Sequence, residues 1–340
     1  MIEFITIFLI TSVLFYLLNV FCLNKNIFID SLNKLNHKSF ANKINVPITG
    51  GFLIIFTIIF LFKDITFLNK IFFISIFILG LLSDTNKLTS PKVRFYFQLM
   101  IVIVYIFLNN TYVNEIRIDY FDDYILENLI FKIIFTTFCI LILINGSNFM
   151  DGVNTLNSGY FFIIFLNIFF QSFNNEIVIE IYNLKVILLT LFIFLISNIF
   201  SKSFMGDNGS YLLSFYAAIF FINFSNQNEL ISPYYIVVLL WYPAFENLFT
   251  LSRRLIFDKK KIKNADNFHL HHLLFLFFKK KFSNSKFINS LTGFTINLFN
   301  IFIVIISNYY LYKTKPLILI LGFAVITYIT MYYLLKKNIN

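Results

Sequence analysis

The chain has 340 residues, 59% of them hydrophobic and 13% charged, with a formal net charge of +10 and a mean hydropathy of +0.79. Soluble domains carry about 25% charged residues, and a transmembrane β-barrel shows short alternating segments, so the long apolar blocks exclude both classes. What remains is an all-α polytopic membrane protein, read as one integral-membrane domain over 1–340 with a long basic loop near 251–293.

Eleven helical spans are predicted, near 4–23, 47–62, 67–82, 95–109, 129–144, 157–173, 186–201, 211–224, 231–250, 294–311 and 316–335, set against a hydrocarbon core roughly 30 Å thick. No basic residue precedes the first span and no small-residue cleavage site follows it, so no cleavable leader is expected. Cys22 and Cys139 both fall inside spans and form no Cys-x-x-Cys, which points to neither a zinc site nor a disulfide framework. Phe, at 49 residues, is abundant, as are Ile, Asn and Lys; this reads as compositional bias, so polar residues count only where their spacing is specific.

Five polar clusters interrupt the apolar pattern. Before the second span stands Lys43-Ile-Asn-Val-Pro47-Ile-Thr-Gly50-Gly51, where Pro and paired Gly allow a sharp turn close to a ligand and Lys43 is placed to meet a phosphate. An ordinary loop-to-helix junction explains that cluster as well. Leaving the third span is Ser83-Asp84-Thr85-Asn86-Lys87, followed by Ser90-Pro91-Lys92-Val93-Arg94. An anion at a helix C-terminus opposes the dipole, so Asp84 is not expected to cap; it reads as a functional carboxylate, with an ordinary solvated loop charge as the alternative. The third cluster, Asn145-Gly-Ser-Asn148-Phe-Met-Asp151-Gly-Val-Asn154, lies beside the fifth span. A run this polar next to a bilayer is costly unless it lines a functional cavity. Asn148, Asp151 and Asn154 are three apart and would share one face if helical.

Met205-Gly-Asp207-Asn-Gly-Ser210 opens the eighth span; Asp207 is either a functional carboxylate or an ordinary N-cap. His269-Leu-His271-His272 holds three of the chain's four histidines. Zinc, a hydrogen-bonding and cationic clamp for a pyrophosphate, and a merely soluble basic loop are the alternatives there. Glu246, inside the ninth span, is a further intramembrane acid and so a candidate site residue, with simple pairing to Arg253 or Arg254 as the alternative.

Most of the 27 basic residues fall on alternate loops and at the C-terminus: Lys25, Lys34, Lys38 and Lys43; Lys87, Lys92 and Arg94; Lys202; the run from Arg253 to Lys286; and Lys336 and Lys337. The positive-inside rule then puts the N-terminus outside, the C-terminus in the cytoplasm, and all five clusters on the cytoplasmic side. The basic loop at 251–293 also suits anionic headgroups. No groove-reading or aromatic-basic motif favours nucleic acid. Walker and Rossmann fingerprints are missing as well. Carboxylates grouped with cations point to a hard divalent ion, Mg²⁺ with Mn²⁺ as the alternative, together with a polyanionic ligand.

These residues resemble the polyprenyl-phosphate N-acetylhexosamine-1-phosphate transferases, the superfamily of the WecA-type enzymes and MraY. The motifs that carry the resemblance are Asn148-Phe-Met-Asp151-Gly, Phe204-Met-Gly-Asp207-Asn-Gly-Ser210 and His269-Leu-His-His272. The resemblance implies transfer of a HexNAc-1-phosphate from a UDP-sugar to undecaprenyl phosphate in the bacterial inner membrane. UMP is released, as an early step toward a surface polysaccharide such as O-antigen. It also implies Asp84, Asp151 and Asp207 as catalytic, with Asp207 and Asp84 near Mg²⁺. Lys43, Arg94, Asn148, Asn154, His269, His271 and His272 would bind substrate, and pairing of two copies is left open.

Ser83 stands where the family usually has a second aspartate, and Asn154 where many members have an Asp. The His-x-His-His spacing is that of the WecA-type branch rather than the three consecutive histidines of MraY. Two rivals are kept: a transporter of lipid-linked or anionic solutes, which should show inverted repeats, and an inactive relative acting as a scaffold.

Overall fold

A computed structural model describes residues 2–30, 45–173, 177–257, 268–282 and 287–339. In chain order the helices are α1 (Ile2–Lys25), α2 (Gly50–Phe56), α3 (Phe67–Asp84), α4 (Pro91–Asn109), α5 (Asp119–Glu127), α6 (Leu129–Met150) and α7 (Leu156–Gln171). They continue with α8 (Ile181–Ile199), α9 (Gly206–Gln227), α10 (Pro233–Leu239), α11 (Trp241–Phe257), α12 (Leu270–Lys281), α13 (Ile288–Asn308) and α14 (Thr314–Ile339). A π-helical turn, Thr57–Leu61, extends α2, and two short strands, β1 (Ile29–Asp30) and β2 (Val46–Pro47), pair antiparallel.

The all-α polytopic class holds. Seven helices (α1, α3, α4, α6, α8, α13 and α14) are long and apolar enough to cross a membrane, and the bent pair α10–α11 makes up to eight. The other predicted spans fall on the shorter apolar helices Gly50–Leu61 and Leu156–Gln171 and on α9. The surface fits a lipid solvent: α1 buries only Thr11, Phe15 and Cys22 and presents Ile5, Leu9, Val13 and Leu17 outward. In water such a face would be a liability.

Helix α9 is the axis of the bundle, buried along nearly every turn and packed on α2, α3 and α6. Close approach requires glycine at the crossings. A Cβ on Gly80 would lie 2.4 Å from the Asn208 Cα, and one on Gly51 would lie 2.6 Å from the Gly209 nitrogen. The 71° bend between α10 and α11 leaves backbone groups without helical partners. The buried Tyr160 hydroxyl answers this, donating to the Leu239 carbonyl at 2.5 Å and accepting from the Tyr242 amide at 3.4 Å. Breaks at membrane depth are tolerated when another helix re-satisfies the backbone in this way.

The two ends of the bundle differ. At one end Glu3, opening α1, meets Lys63 at 3.1 Å and the Tyr182 hydroxyl at 3.0 Å, while Arg117 bonds the carbonyls of Glu229, Leu230 and Tyr312. At the other end lie the C-termini of α3, α6 and α14 and the N-termini of α2, α9 and α12. A backbone ladder ties that end together: Ile48 N to Phe28 O, Phe204 N to Pro47 O and Gly50 N to Phe204 O.

Two expectations change. The stretch at 251–293 is not a loop throughout, because α11 runs to Phe257, α12 occupies Leu270–Lys281 and α13 begins at Ile288; Leu270 and Leu273–Phe275 are buried on α12. The fifth span continues through Gly146 and Ser147 to Met150, because these small residues pack against Pro243 and Ser210.

Candidate active site

The site is built around the first turn of α9. The amides of a helix's first turn have no intrahelical acceptor, and Met205, at the N-cap position, offers no side-chain acceptor. Two carboxylates from other helices take that role. Asp84, at the end of α3, accepts from the amides of Asp207 and Asn208, each at 3.0 Å. Asp151, just past α6, accepts from the Gly206 amide at 3.0 Å. Gly206 has φ +71°, and a Cβ there would sit 2.8 Å from Asp84 Oδ2, so glycine is required both for the turn and for the carboxylate. Asp84 therefore is a cap, but for a helix far away in sequence. The dipole argument considered only its own helix.

Since Asp84 and Asp151 hold these amides, Asp207 is not needed as a cap, and its side chain points elsewhere. Asp207 Oδ2 accepts from Arg94 Nη1 at 2.9 Å and from the Ser83 hydroxyl, which in turn accepts from Arg94. The two charged side chains are about a fifth exposed, 21% for Arg94 and 23% for Asp207. Among the described residues Asp207 Oδ1 takes no hydrogen bond, and it is the carboxylate oxygen best placed to take up a ligand.

The island at 145–154 is split rather than helical throughout. Asp151 caps the end of α6 and residues 151–155 turn into α7, with Thr155 at φ +66°. Asn148, Asp151 and Asn154 thus do not share a helical face. Asn148 reaches the Tyr211 hydroxyl at 3.5 Å. Asp151 goes to Gly206. Asn154, 5% exposed, donates to Ser201 at 2.7 Å and takes the Asn289 side chain on its amide. It fastens α7 to α8 and α13. Behind Asp151 lies a polar cavity of about 40 Å³ lined by Asp30, Gly152, Asn154, Asn198 and Asn289, large enough for a water or an ion but not for a nucleotide.

The histidines join this end through Gly152. A Cβ on that residue would lie 2.4 Å from His271 Nε2 and 2.7 Å from His272 Nε2, so both rings rest on the Asp-Gly turn. His271 is fully buried, and burial, with His272 and His269 beside it, holds its pKa well below the usual imidazole value. His269 turns the other way. Its Nδ1 lies 2.8 Å from Glu246 Oε1, and Glu246 Oε2 accepts from Tyr328 at 2.6 Å. Glu246 is thus partnered by a histidine and a tyrosine, not by the arginine that the sequence offered as the alternative. Nothing in the sequence marked Tyr328, one of 19 tyrosines in an apolar helix. Lys43 lies outside the described residues.

Among the described residues no three His, Cys, Asp or Glu side chains gather as a metal cluster, so the zinc reading of the histidines finds no ligand set. A hard ion needs less: Mg²⁺ is commonly held by one or two carboxylates together with substrate phosphates and water. Asp207, partly exposed and with one uncommitted oxygen, fits that requirement.

The model of glycosyl transferase family 4 matches residues 66–225, a stretch that holds Asp84, Arg94, Asn148, Asp151 and Asp207. The chain is 27% identical over 209 residues to a probable undecaprenyl-phosphate N-acetylglucosaminyl 1-phosphate transferase of Bacillus subtilis (strain 168), covering 59% of this chain and 56% of that one. It is 32% identical over 144 residues to a phospho-N-acetylmuramoyl-pentapeptide-transferase of Orientia tsutsugamushi (strain Ikeda), 37% of this chain and 40% of the relative. A protein of the same name from Dictyoglomus turgidum is 29% identical over 203 residues, 56% and 64% of the two chains. The chain thus spans about half the length of the curated relatives it matches. These findings support its place in the polyprenyl-phosphate hexosamine-1-phosphate transferase superfamily.

Proposed function

We propose that the protein transfers a HexNAc-1-phosphate from a UDP-sugar to a polyprenyl phosphate such as undecaprenyl phosphate, releasing UMP. The observation that carries this reading is the convergence, at one end of an apolar bundle, of a partly exposed Asp207–Arg94 pair at a helix N-terminus with buried His271 and His272 on the neighbouring Gly152 turn. An anionic, two-phosphate substrate meeting a lipid at a bilayer surface needs just such a mixture of cations, donors and a metal-competent carboxylate.

In this reading an oxygen of the lipid phosphate attacks the β-phosphorus of the UDP-sugar, and the bond from that phosphorus to the bridging oxygen breaks. The electron pair leaves on UMP. A phosphate monoester has its second pKa near about 6, so the nucleophile is already ionised at neutral pH and no strong general base is required. The chain's task is to bring two anions together and hold them in line. Arg94 supplies a fixed positive charge beside Asp207, and His271 and His272 bring ring nitrogens next to the Asp151–Gly152 turn. Asp84 and Asp151 hold the α9 turn that carries Asp207. Mg²⁺ (or Mn²⁺), held by Asp207 with support from Asp84, would neutralise phosphate charge when bound.

Ser83 does not count against activity. Its hydroxyl bonds Asp207 and accepts from Arg94, so Asp207 stays oriented without a second carboxylate. The lysines at the ends of α12 and α14 (Lys279, Lys280, Lys281, Lys336 and Lys337) lie at the same end as the site and favour a cytoplasmic active site. The test is to mix purified protein, Mg²⁺ and undecaprenyl phosphate with a panel of UDP-HexNAc sugars and with UDP-MurNAc-pentapeptide. UMP release with a HexNAc donor supports the reading. No UMP from any donor, beside an active relative as control, rejects it.

A further inference from the structure

Glu246 sits in α11 with 0% of its surface exposed. A buried acid in a membrane helix is costly, and a leucine would pack there more cheaply. Both its oxygens are committed: Oε2 to the Tyr328 hydroxyl of α14 at 2.6 Å, Oε1 to His269 Nδ1 at 2.8 Å. An ionised Glu246 has no proton to donate, and in that state the proton of the second bond belongs to the imidazole.

His269 itself occupies the N-cap position of α12 (φ −81°, ψ 152°) but makes no capping bond with its side chain. Its ring is drawn away from its own helix toward Glu246, with Thr250 Oγ1 3.4 Å from the same nitrogen. Phe149, two residues before Asp151, packs on the other side with ring centroids 5.3 Å apart. His271 and His272 lie 5.5 Å away. The ring is thus held between α6 and α11, with Nδ1 spent on the carboxylate that Tyr328 of α14 in turn bonds.

We propose that Glu246 and Tyr328 are positioning residues that hold His269 in the Nδ1-protonated form and present its other ring nitrogen, Nε2, as an acceptor to the hydroxyl or amide donors of the sugar-diphosphate's sugar. Tyr328 orients the carboxylate, the carboxylate orients the imidazole, and the imidazole meets the ligand. A partner of this kind fixes both tautomer and ring angle. Presentation to the sugar-diphosphate rests on the transferase reading; the ring's protonation does not.

The experiment has two arms on the full-length protein in detergent. In the first, ring-¹⁵N histidine spectra are recorded for wild type, Glu246→Gln, Glu246→Leu and Tyr328→Phe, with His269 assigned from a His269→Asn control. Nδ1-bound protons in wild type and Glu246→Gln, lost in Glu246→Leu, are expected. A neutral Nε2–H ring in wild type overturns the proposal. In the second arm, turnover of the UDP-sugar is measured. Glu246→Leu should lower kcat by about 10–100-fold with KM little changed, Tyr328→Phe should lower it less, and Glu246→Gln should restore most of the activity.

If Glu246→Leu does not fold, Tyr328→Phe stands in for it, with a smaller loss of kcat at an unchanged Tm. Wild-type kcat in every folded variant overturns the positioning role. If wild type turns over no UDP-sugar at all, the transferase reading fails, and the ring spectra alone decide the relay.

Discussion

Asp84→Asn separates the helix-capping role of this aspartate from chemistry. In the native site its two oxygens accept from two amides, Asp207 N and Asn208 N, each at 3.0 Å. An asparagine keeps one acceptor and turns an NH₂ group toward the other amide, so one hydrogen bond is replaced by a donor facing a donor. A bond to a charged acceptor contributes about 1.5–3 kcal/mol, and a negative charge at a helix N-terminus about 0.3–1 kcal/mol. The substitution should therefore cost about 2–4 kcal/mol. One kcal/mol shifts Tm by roughly 2–4 °C in chains of 150–250 residues, and by less in a longer one. Thermal unfolding in detergent, followed by circular dichroism without substrate, should show Tm lowered by at least about 3 °C. Turnover should fall too, because the turn that carries Asp207 loosens. A Tm within 1 °C of wild type would refute the capping argument.

Asp207→Asn should behave oppositely: its ion pair is partly exposed and contributes about 0–1 kcal/mol, so Tm barely moves while kcat falls by about 10²–10³-fold, as a turnover assay would read. Gly152→Ala drives a methyl into His271 and His272. Overpacking of this kind costs about 1–3 kcal/mol, and both Tm and UDP-sugar turnover should drop, whereas Gly322→Ala, with nothing near its Cβ, should leave both unchanged. His271 is held neutral in the folded chain, with its pKa well below the usual value. The unfolded chain takes up the proton first as pH falls below about 6.5, so the protein should lose stability from there down to the folded pKa. His271→Asn should flatten that part of the Tm–pH profile.

The helices were legible in the sequence because apolar runs of membrane length have few alternative readings; every predicted span overlaps a helix. The described polar clusters were legible as a set, since loop alternation and Lys/Arg bias placed them at one end, and contacts bring Asp84, Asp151 and Asp207 to one α9 turn, with His271 resting on the neighbouring Gly152. What each residue does there was less visible. Asp84 was judged against the dipole of α3, while its partners belong to α9, more than a hundred residues on. Asn154 kept the three-residue spacing of a helix face, yet the chain turns at Asp151–Gly152 and sends it to Ser201. Ser83 stood out only as a departure from the family's paired aspartates, and only the fold shows its hydroxyl between Arg94 and Asp207. Tyr328 carried no signal of its own, because a tyrosine in a membrane helix becomes informative only when its hydroxyl meets a buried acid.

The sharpest measurement follows a single phosphorus atom. A UDP-HexNAc donor carrying ³²P in its β-phosphate is incubated with the protein, Mg²⁺ and undecaprenyl phosphate, and the lipid and nucleotide fractions are separated. The account requires the label to pass into the lipid as a sugar-linked diphosphate, leaving unlabelled UMP behind. Label retained in a nucleotide product while sugar moves to lipid, or a lipid fraction without label beside an active control enzyme, would contradict it.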